Sequence, residues 1–423
     1  MDTRRAASGG GSGGRRARAV RETSLLGAGS VASGLLAYVF FALVTRALGA
    51  EAAAPVSVLW AWWGFAGAAL TFPIQHWIAR TVAVHAGDEG AVRRGAGRLA
   101  ATVAAVAVVA GLVSWLLRDL LFRQDGVLFP LMVAAVAVGS ALLGLVRGTL
   151  TARRRFALVG VGLAAENALR CVGAAVLLAA GVEDPAAYGA CLVLGYVTAA
   201  LWPGAFRLRS DAAAPPAAGG SLGFVGGVAS GQLVSQTVLT GGPVVLALAG
   251  GRAADVTALF AALALFRAPY TFSLGLVGPL TVRLSNLVAA GEWARLARAR
   301  LMAVAATLGA AAVAAPVGFW LGPPLMALVF GSDVRLDGTL TLLVAVGSAA
   351  ALGNLVVTVA LIARGSTAVL LRAWLGAVAV GAALFAVWGV DATERTCWTF
   401  LVVEVTAFVL LVLADRWADR RDC

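Results

Sequence analysis

Long apolar stretches alternate with short polar segments along almost the whole chain. A helix crosses a hydrocarbon layer of about 30 Å with about 20 apolar residues. Twelve stretches meet that length, at roughly 24–44, 54–78, 99–117, 127–146, 157–180, 187–206, 224–249, 254–279, 301–320, 339–362, 367–388 and 397–415. In lipid the backbone must satisfy its own hydrogen bonds, so each is predicted to be a helix. The expected fold class is an all-α membrane protein with twelve transmembrane helices.

The polar positions between the spans carry the orientation. All basic residues are arginines, and only six of the 33 fall in the odd-numbered loops: Arg46, Arg118, Arg123, Arg252, Arg335 and Arg395. Most others crowd the N-terminal segment, the even-numbered loops and the C-terminal tail. The positive-inside rule then places both termini in the cytoplasm. The formal charge of +12 is accounted for by topogenic arginine and anionic membrane lipids, so no nucleic-acid partner is expected. Lack of lysine with abundant alanine, glycine and arginine points to a GC-rich bacterial coding bias, and hence to a bacterial plasma membrane.

Composition restricts the chemistry. Charged residues make up 13% of the chain, about half the share of a soluble domain. The four cysteines are scattered and two histidines cannot form a metal site, so neither a metal nor another cofactor is expected. No phosphate-binding loop of the GxxxxGK[ST] type occurs, so transport energy must come from a gradient, the membrane potential, the substrate or a partner. The first span is preceded by arginines but is longer than a signal-peptide core, and is expected to be retained.

Five regions are expected: a disordered cytoplasmic tail at 1–22, a six-helix bundle at 23–207, a cytoplasmic linker at 208–222, a second six-helix bundle at 223–416, and a tail at 417–423. The Ser210–Ser221 stretch is linker-like and lies near the midpoint. A weak repeat agrees with this division. Val31-Ala32-Ser33-Gly34 opens span one, and Val228-Ala229-Ser230-Gly231 opens span seven, 197 residues later. Ala86–Glu89 with its arginines follows span two, as Ala290–Trp293 with its own follows span eight. Because six is even, the halves form a parallel 6+6 repeat about an axis along the membrane normal, with a path between them.

Polar side chains at membrane depth cost on the order of 2.5–3.5 kcal/mol when charged and are candidate functional groups. Span five holds Glu166, Asn167 and Arg170, the first and last four apart on one face. They read either as a self-neutralising pair or as a binding site. Arg267 in span eight has no carboxylate within a turn, which favours a cavity. Glu404 in span twelve is alone and is either a coupling group or a packed, paired residue. Gln75, Gln232 and Gln236 can meet sugar hydroxyls or join helices. Asn354 reads as a helix-packing residue. Pro243, Pro269, Pro279 and Pro316 predict kinks in or beside spans seven to nine. Trp60, Trp62 and Trp63 read as an aromatic belt at the outer interface.

Several short motifs resemble those of Wzx-type polysaccharide flippases of the MOP (MATE-like) exporter superfamily. They are Leu25-Leu26-Gly27 with Leu43-Val44-Thr45-Arg46-Ala47-Leu48-Gly49, Arg147–Leu150, Arg153–Phe156, Glu166–Arg170, and Phe266-Arg267-Ala268-Pro269 followed by Pro279-Leu280. Two departures are the Ala50–Pro55 stretch, where the family usually carries glycine and tyrosine, and the lack of cavity lysines. The resemblance implies a V-shaped pair of bundles that moves undecaprenyl-pyrophosphate-linked oligosaccharide by alternating access, with no bond made or broken. Arg170 and Arg267 would attract pyrophosphate or acidic sugars, and the amides would meet hydroxyls. A polysaccharide polymerase and glycosyltransferases would be partners.

The alternatives are a MATE-like cation-coupled drug or metabolite antiporter, which needs an exchangeable carboxylate that span one lacks, and a lipid II flippase, usually longer. A membrane-embedded enzyme is disfavoured because the longest outer loop, about 321–338, carries only Asp333 and Asp337. Gly87–Arg94 does not match the major-facilitator signature.

Overall fold

The structure is a computed structural model and describes residues 10–84, 88–208, 233–273, 280, 283–284, 286–288, 290–364 and 367–422. In chain order the helices are α1 (Ser24–Ala52), α2 (Ala54–Val82), α3 (Gly90–Leu116), α4 (Leu128–Ala152), α5 (Phe156–Ala179) and α6 (Pro185–Leu201). Then come α7 (233–248, interrupted at Gly241), α8 (Ala253–Phe266), α9 (Trp293–Phe330), α10 (Gly338–Ile362), α11 (Val369–Val387) and α12 (Ala392–Trp417). Among the described residues nine of these helices are long and apolar enough to cross a membrane, and no strand occurs. The molecule is a multi-pass membrane protein, and each of the twelve expected spans overlaps a helix.

The differences lie at the ends and the breaks. Arginine-bearing turns continue α3, α9 and α12 past their expected limits, and α9 also runs on through the apolar 321–330 stretch. The helix of span one begins at Gly10, so residues 10–22 continue it where a disordered tail was expected. An existing helix lowers the cost of adding turns, since nucleation is the expensive step. The C-terminal tail is likewise helical to Asp422. Span six is shorter than expected: its last turns tighten to a 3-10 helix at Gly195–Leu201, before Trp202 and Pro203. In α7 the Gly241–Gly242–Pro243 triplet interrupts the helix. α8 breaks at Arg267 and resumes at Ala268–Ser273, where Pro269 cannot donate a backbone bond. α2 and α9 each widen into a π turn beside proline, at Gly67–Thr71 before Pro73 and at Val317–Leu321 after Pro316. The linker, the second Val-Ala-Ser-Gly stretch and Pro279 lie outside the described residues.

Helices at equivalent positions in the two halves share the same environment. α4 is the central helix of the first half, with 67% of its apolar window buried, and α10 that of the second, with 61%. α3 and α9 are the peripheral ones, at 17% and 11%. Pairings correspond as well: α4 packs on α2, α3 and α6, and α10 on α8, α9 and α12. Outward-facing side chains of α3 and α9, such as Val108, Leu116, Leu308 and Trp320, are exposed as lipid contacts require.

Lipid tails are as apolar as leucine, so close packing, not water exclusion, must hold the helices together. α1 meets α5 through facing glycines: a side chain on Gly29 would run into the backbone of Gly160. Between the halves an aromatic cluster does the same. The Phe41 ring lies 4.5 Å from that of Phe260 and 5.5 Å from that of Phe330. Trp60 joins it, buried between Phe40, Phe41 and Phe260. The expected aromatic belt is therefore not what these tryptophans form: Trp60 is core, Trp63 packs on Trp60, and Trp62 on Phe65.

Candidate functional site

Two polar clusters lie at membrane depth, one in each half. In the first, Glu166 of α5 is shared by two arginines. Its Oε1 is 2.5 Å from Arg170 Nη2, one turn along the same helix, and its Oε2 pairs with Arg147 of α4. Arg170 is completely buried. It donates to Leu192 O at 2.9 Å and to Asn167 Oδ1 at 3.1 Å. Its guanidinium also lies over the rings of Trp63 and Tyr196, 5.0 and 5.5 Å from their centroids. Asn167 donates to Ser33 Oγ of α1, and Tyr196 shares a bond with Ser140 of α4. Gly195 is required here, because a Cβ would collide with the Arg170 guanidinium. The spacing of Glu166 and Arg170 revealed their pairing; Arg147, on another helix, gave no such signal. In this conformation every face of Arg170 is occupied, so the cluster is a tie between α1, α4, α5 and α6.

The second cluster is more open. Arg267 sits at the break of α8, half-buried, and donates to Leu239 O of α7 at 2.7 Å. Among the described residues no carboxylate lies within ion-pairing distance of it. Tyr38, Tyr270 and Glu404 are close enough to act on it electrostatically. Tyr38 of α1 crosses between the halves, its hydroxyl donating to Ala264 O at 2.7 Å. Gln236 donates to Tyr270 Oη at 3.2 Å. Glu404 is buried, and Asn354 of α10 donates to its Oε2 at 2.8 Å and its carbonyl at 3.0 Å. Asn354 thus holds Glu404, which the sequence left without a partner. Beside them is a cavity of about 20 Å³ lined by Ser235, Tyr270, Asn354, Thr358, Trp374 and Glu404 among others. That is room for about one water or small ion. Glu404 Oε1 and Asn354 Oδ1 are both buried without a hydrogen-bond partner.

Of the expected site residues, the structure brings Arg267, Gln236 and Glu404 together and sets Glu166, Asn167 and Arg170 in the other cluster. Gln75 is separate from both, packed by its backbone against Gly148 of α4. Gln232 lies outside the described residues. Tyr38 and Tyr270 were missed: tyrosine in an apolar run gives no charge to notice.

Around the odd-numbered loops the halves are latched. Asp333 Oδ2 accepts from the Ala50 amide at 2.5 Å. Arg46 donates to Leu328 O at 2.7 Å and Val329 O at 3.3 Å, and Arg123 to Gly251 O. Gly49 turns with φ +73°, which frees the Ala50 amide for Asp333. Among the described residues, hydrogen bonds between the halves run from Tyr38 toward this end.

No protein-family profile matches the chain, and no curated protein sequence does. Solved structures do match. An inward-facing multidrug resistance MATE family transporter of the MOP superfamily superimposes with a TM-score of 0.65 at 14% identity, over 92% of this chain and 95% of that one. A eukaryotic MATE transporter gives 0.61 at 16%, over 96% and 99%. A MOP superfamily transporter from Pyrococcus furiosus, described as having a binding pocket of reversed polarity, gives 0.56 at 15%, over 96% and 95%. The fold is that of the MATE-like transporters.

Proposed function

We propose that the chain is a membrane exporter, not an enzyme, that moves an anionic lipid-linked oligosaccharide across the membrane by alternating access. The substrate class proposed is undecaprenyl-pyrophosphate-linked glycan, carried across a bacterial plasma membrane with both termini cytoplasmic. The observation that carries this reading is Arg267: a guanidinium with no ion-paired carboxylate among the described residues, at a helix break beside the contact of the two halves. Arginine pairs bidentately with phosphate oxygens. Gln236, Tyr270 and Tyr38 stand beside it as hydroxyl and amide partners for a sugar. The 23–207 and 223–416 bundles would rock about the contact, the odd-loop latch opening as the other side closes. A polysaccharide polymerase and glycosyltransferases would act before and after it. Glu404 and Asn354 would couple the motion to a proton or small cation, which their two unpartnered oxygens and adjoining cavity can accept.

The same two oxygens favour a second reading, a MATE-like cation-coupled antiporter for drugs or metabolites. Movement of a fluorescent undecaprenyl-pyrophosphate oligosaccharide in proteoliposomes tests the first reading. Ion-driven efflux of organic cations with no glycolipid movement would replace it by the second.

A further inference from the structure

We infer that the C-terminal half holds an anionic phospholipid in a pocket at its basic end, away from the contact between the halves. A cavity of about 680 Å³ lies between Leu280, Arg283, Leu284 and Leu287 on one side and α9, α10 and the end of α12 on the other. Among the described residues, none of its lining belongs to the N-terminal half. The substrate path of the preceding proposal is therefore not involved, and the inference stands if that proposal fails.

The lining has two characters. Arginines ring it: Arg283, Arg295 and Arg298 are exposed, while Arg300 and Arg364 each reach Asp415 at 3.1 Å. Among the described lining residues Asp415 is the one carboxylate, and Glu292 just outside pairs with Arg295 at 2.5 Å, so five arginines meet two carboxylates and positive charge still dominates. The deeper wall is apolar, with Leu296 and Ala303 of α9 facing Val357 of α10. Outside it, Leu301, Met302 and Leu308 of α9 are exposed along a helix that is peripheral and lipid-facing. A pocket that opens beside lipid, with guanidinium groups at its headgroup end and an apolar wall toward the bilayer, complements one phosphate and one acyl chain. Free phosphate would use the arginines and leave the apolar wall bare. Basic pockets between membrane helices hold anionic headgroups by this chemistry.

The test uses full-length protein in a neutral detergent, titrated with dioleoylphosphatidylglycerol, dioleoylphosphatidylcholine or inorganic phosphate. Native mass spectrometry reads bound lipid and a melting curve reads stability. The expected result is one retained phosphatidylglycerol, with phosphatidylcholine bound more weakly. Each neutralised arginine should weaken binding about fivefold, so Arg283→Gln with Arg298→Gln should weaken it about twenty-five-fold. Ala303→Phe keeps the charge and fills the wall, and should displace the lipid while the lipid-free melting temperature holds. Equal retention of both lipids overturns the inference. So does unchanged phosphatidylglycerol binding in both variants while they fold, and so does protection by inorganic phosphate that matches that by phosphatidylglycerol.

Discussion

Asp333, in the loop between α9 and α10, accepts a hydrogen bond from the backbone amide of Ala50, at the end of α1. A carboxylate from one half thus caps a helix kink in the other, 283 residues away in sequence. In the proposed alternating-access function, contacts of this kind must be strong enough to close one side and few enough to release.

Asp333→Ala removes a charge-assisted bond worth about 1.5–3 kcal/mol, enough to shift a two-state equilibrium roughly tenfold to a hundredfold. Spin labels at Glu51→Cys and Arg335→Cys should report a longer distance population that the parent lacks. An unchanged distance distribution would show that the Arg46 and Arg123 bonds and the aromatic contacts of Phe41 hold this side without Asp333.

The first cluster should behave as structure. Glu166→Ala strands Arg147 and Arg170 in a buried site, and breaking a buried pair costs about 3–5 kcal/mol. Arg147→Ala should cost less, because Glu166 keeps Arg170. Thermal unfolding in detergent ranks the two; equal losses would refute the shared-carboxylate account.

On the even-loop side, Arg153 binds Glu89 through two contacts, 2.7 and 2.8 Å, and reaches Gly204 O and Arg207 O as well. The Glu89 carboxylate holds the Arg153 guanidinium above its ordinary range, so it stays charged at every accessible pH. One guanidinium thus joins three connecting segments. Lysine cannot reproduce that fork. Arg153→Lys should destabilise the first half by about 1–2 kcal/mol, discounted for partial exposure, and increase proteolysis near residues 203–208. No change in either would show the contacts to be incidental.

Glu404→Gln keeps the shape of the side chain and one oxygen for Asn354. The fold should survive with an unchanged melting temperature. Stimulation of transport by an imposed proton or sodium gradient should vanish, leaving only downhill movement. Retained stimulation would remove Glu404 from coupling.

Much of the fold was legible because lipid enforces a simple rule. Every span must be apolar and helical, so each of the twelve apolar runs overlaps a helix among the described residues, and Pro269 and Pro243 marked two of the breaks. The Glu166–Arg170 pair was legible because i and i+4 share a face. Partners contributed by other helices were not. Arg147 on Glu166, Asn354 on Glu404 and Asp333 on Ala50 depend on tertiary packing, which local spacing does not encode. Trp60 was misread for the same reason: an indole suits an interface and a core alike, and only Phe260, from the other half, decides.

In the proposed function Arg267 receives the anionic group of a lipid-linked glycan. Transbilayer movement of fluorescent undecaprenyl-pyrophosphate oligosaccharide in proteoliposomes, comparing the parent chain with Arg267→Gln at equal folded protein, tests it most directly. Loss of one charge-assisted contact of about 1.5–3 kcal/mol predicts a rate at least tenfold lower in the variant. Equal rates in the two would contradict it.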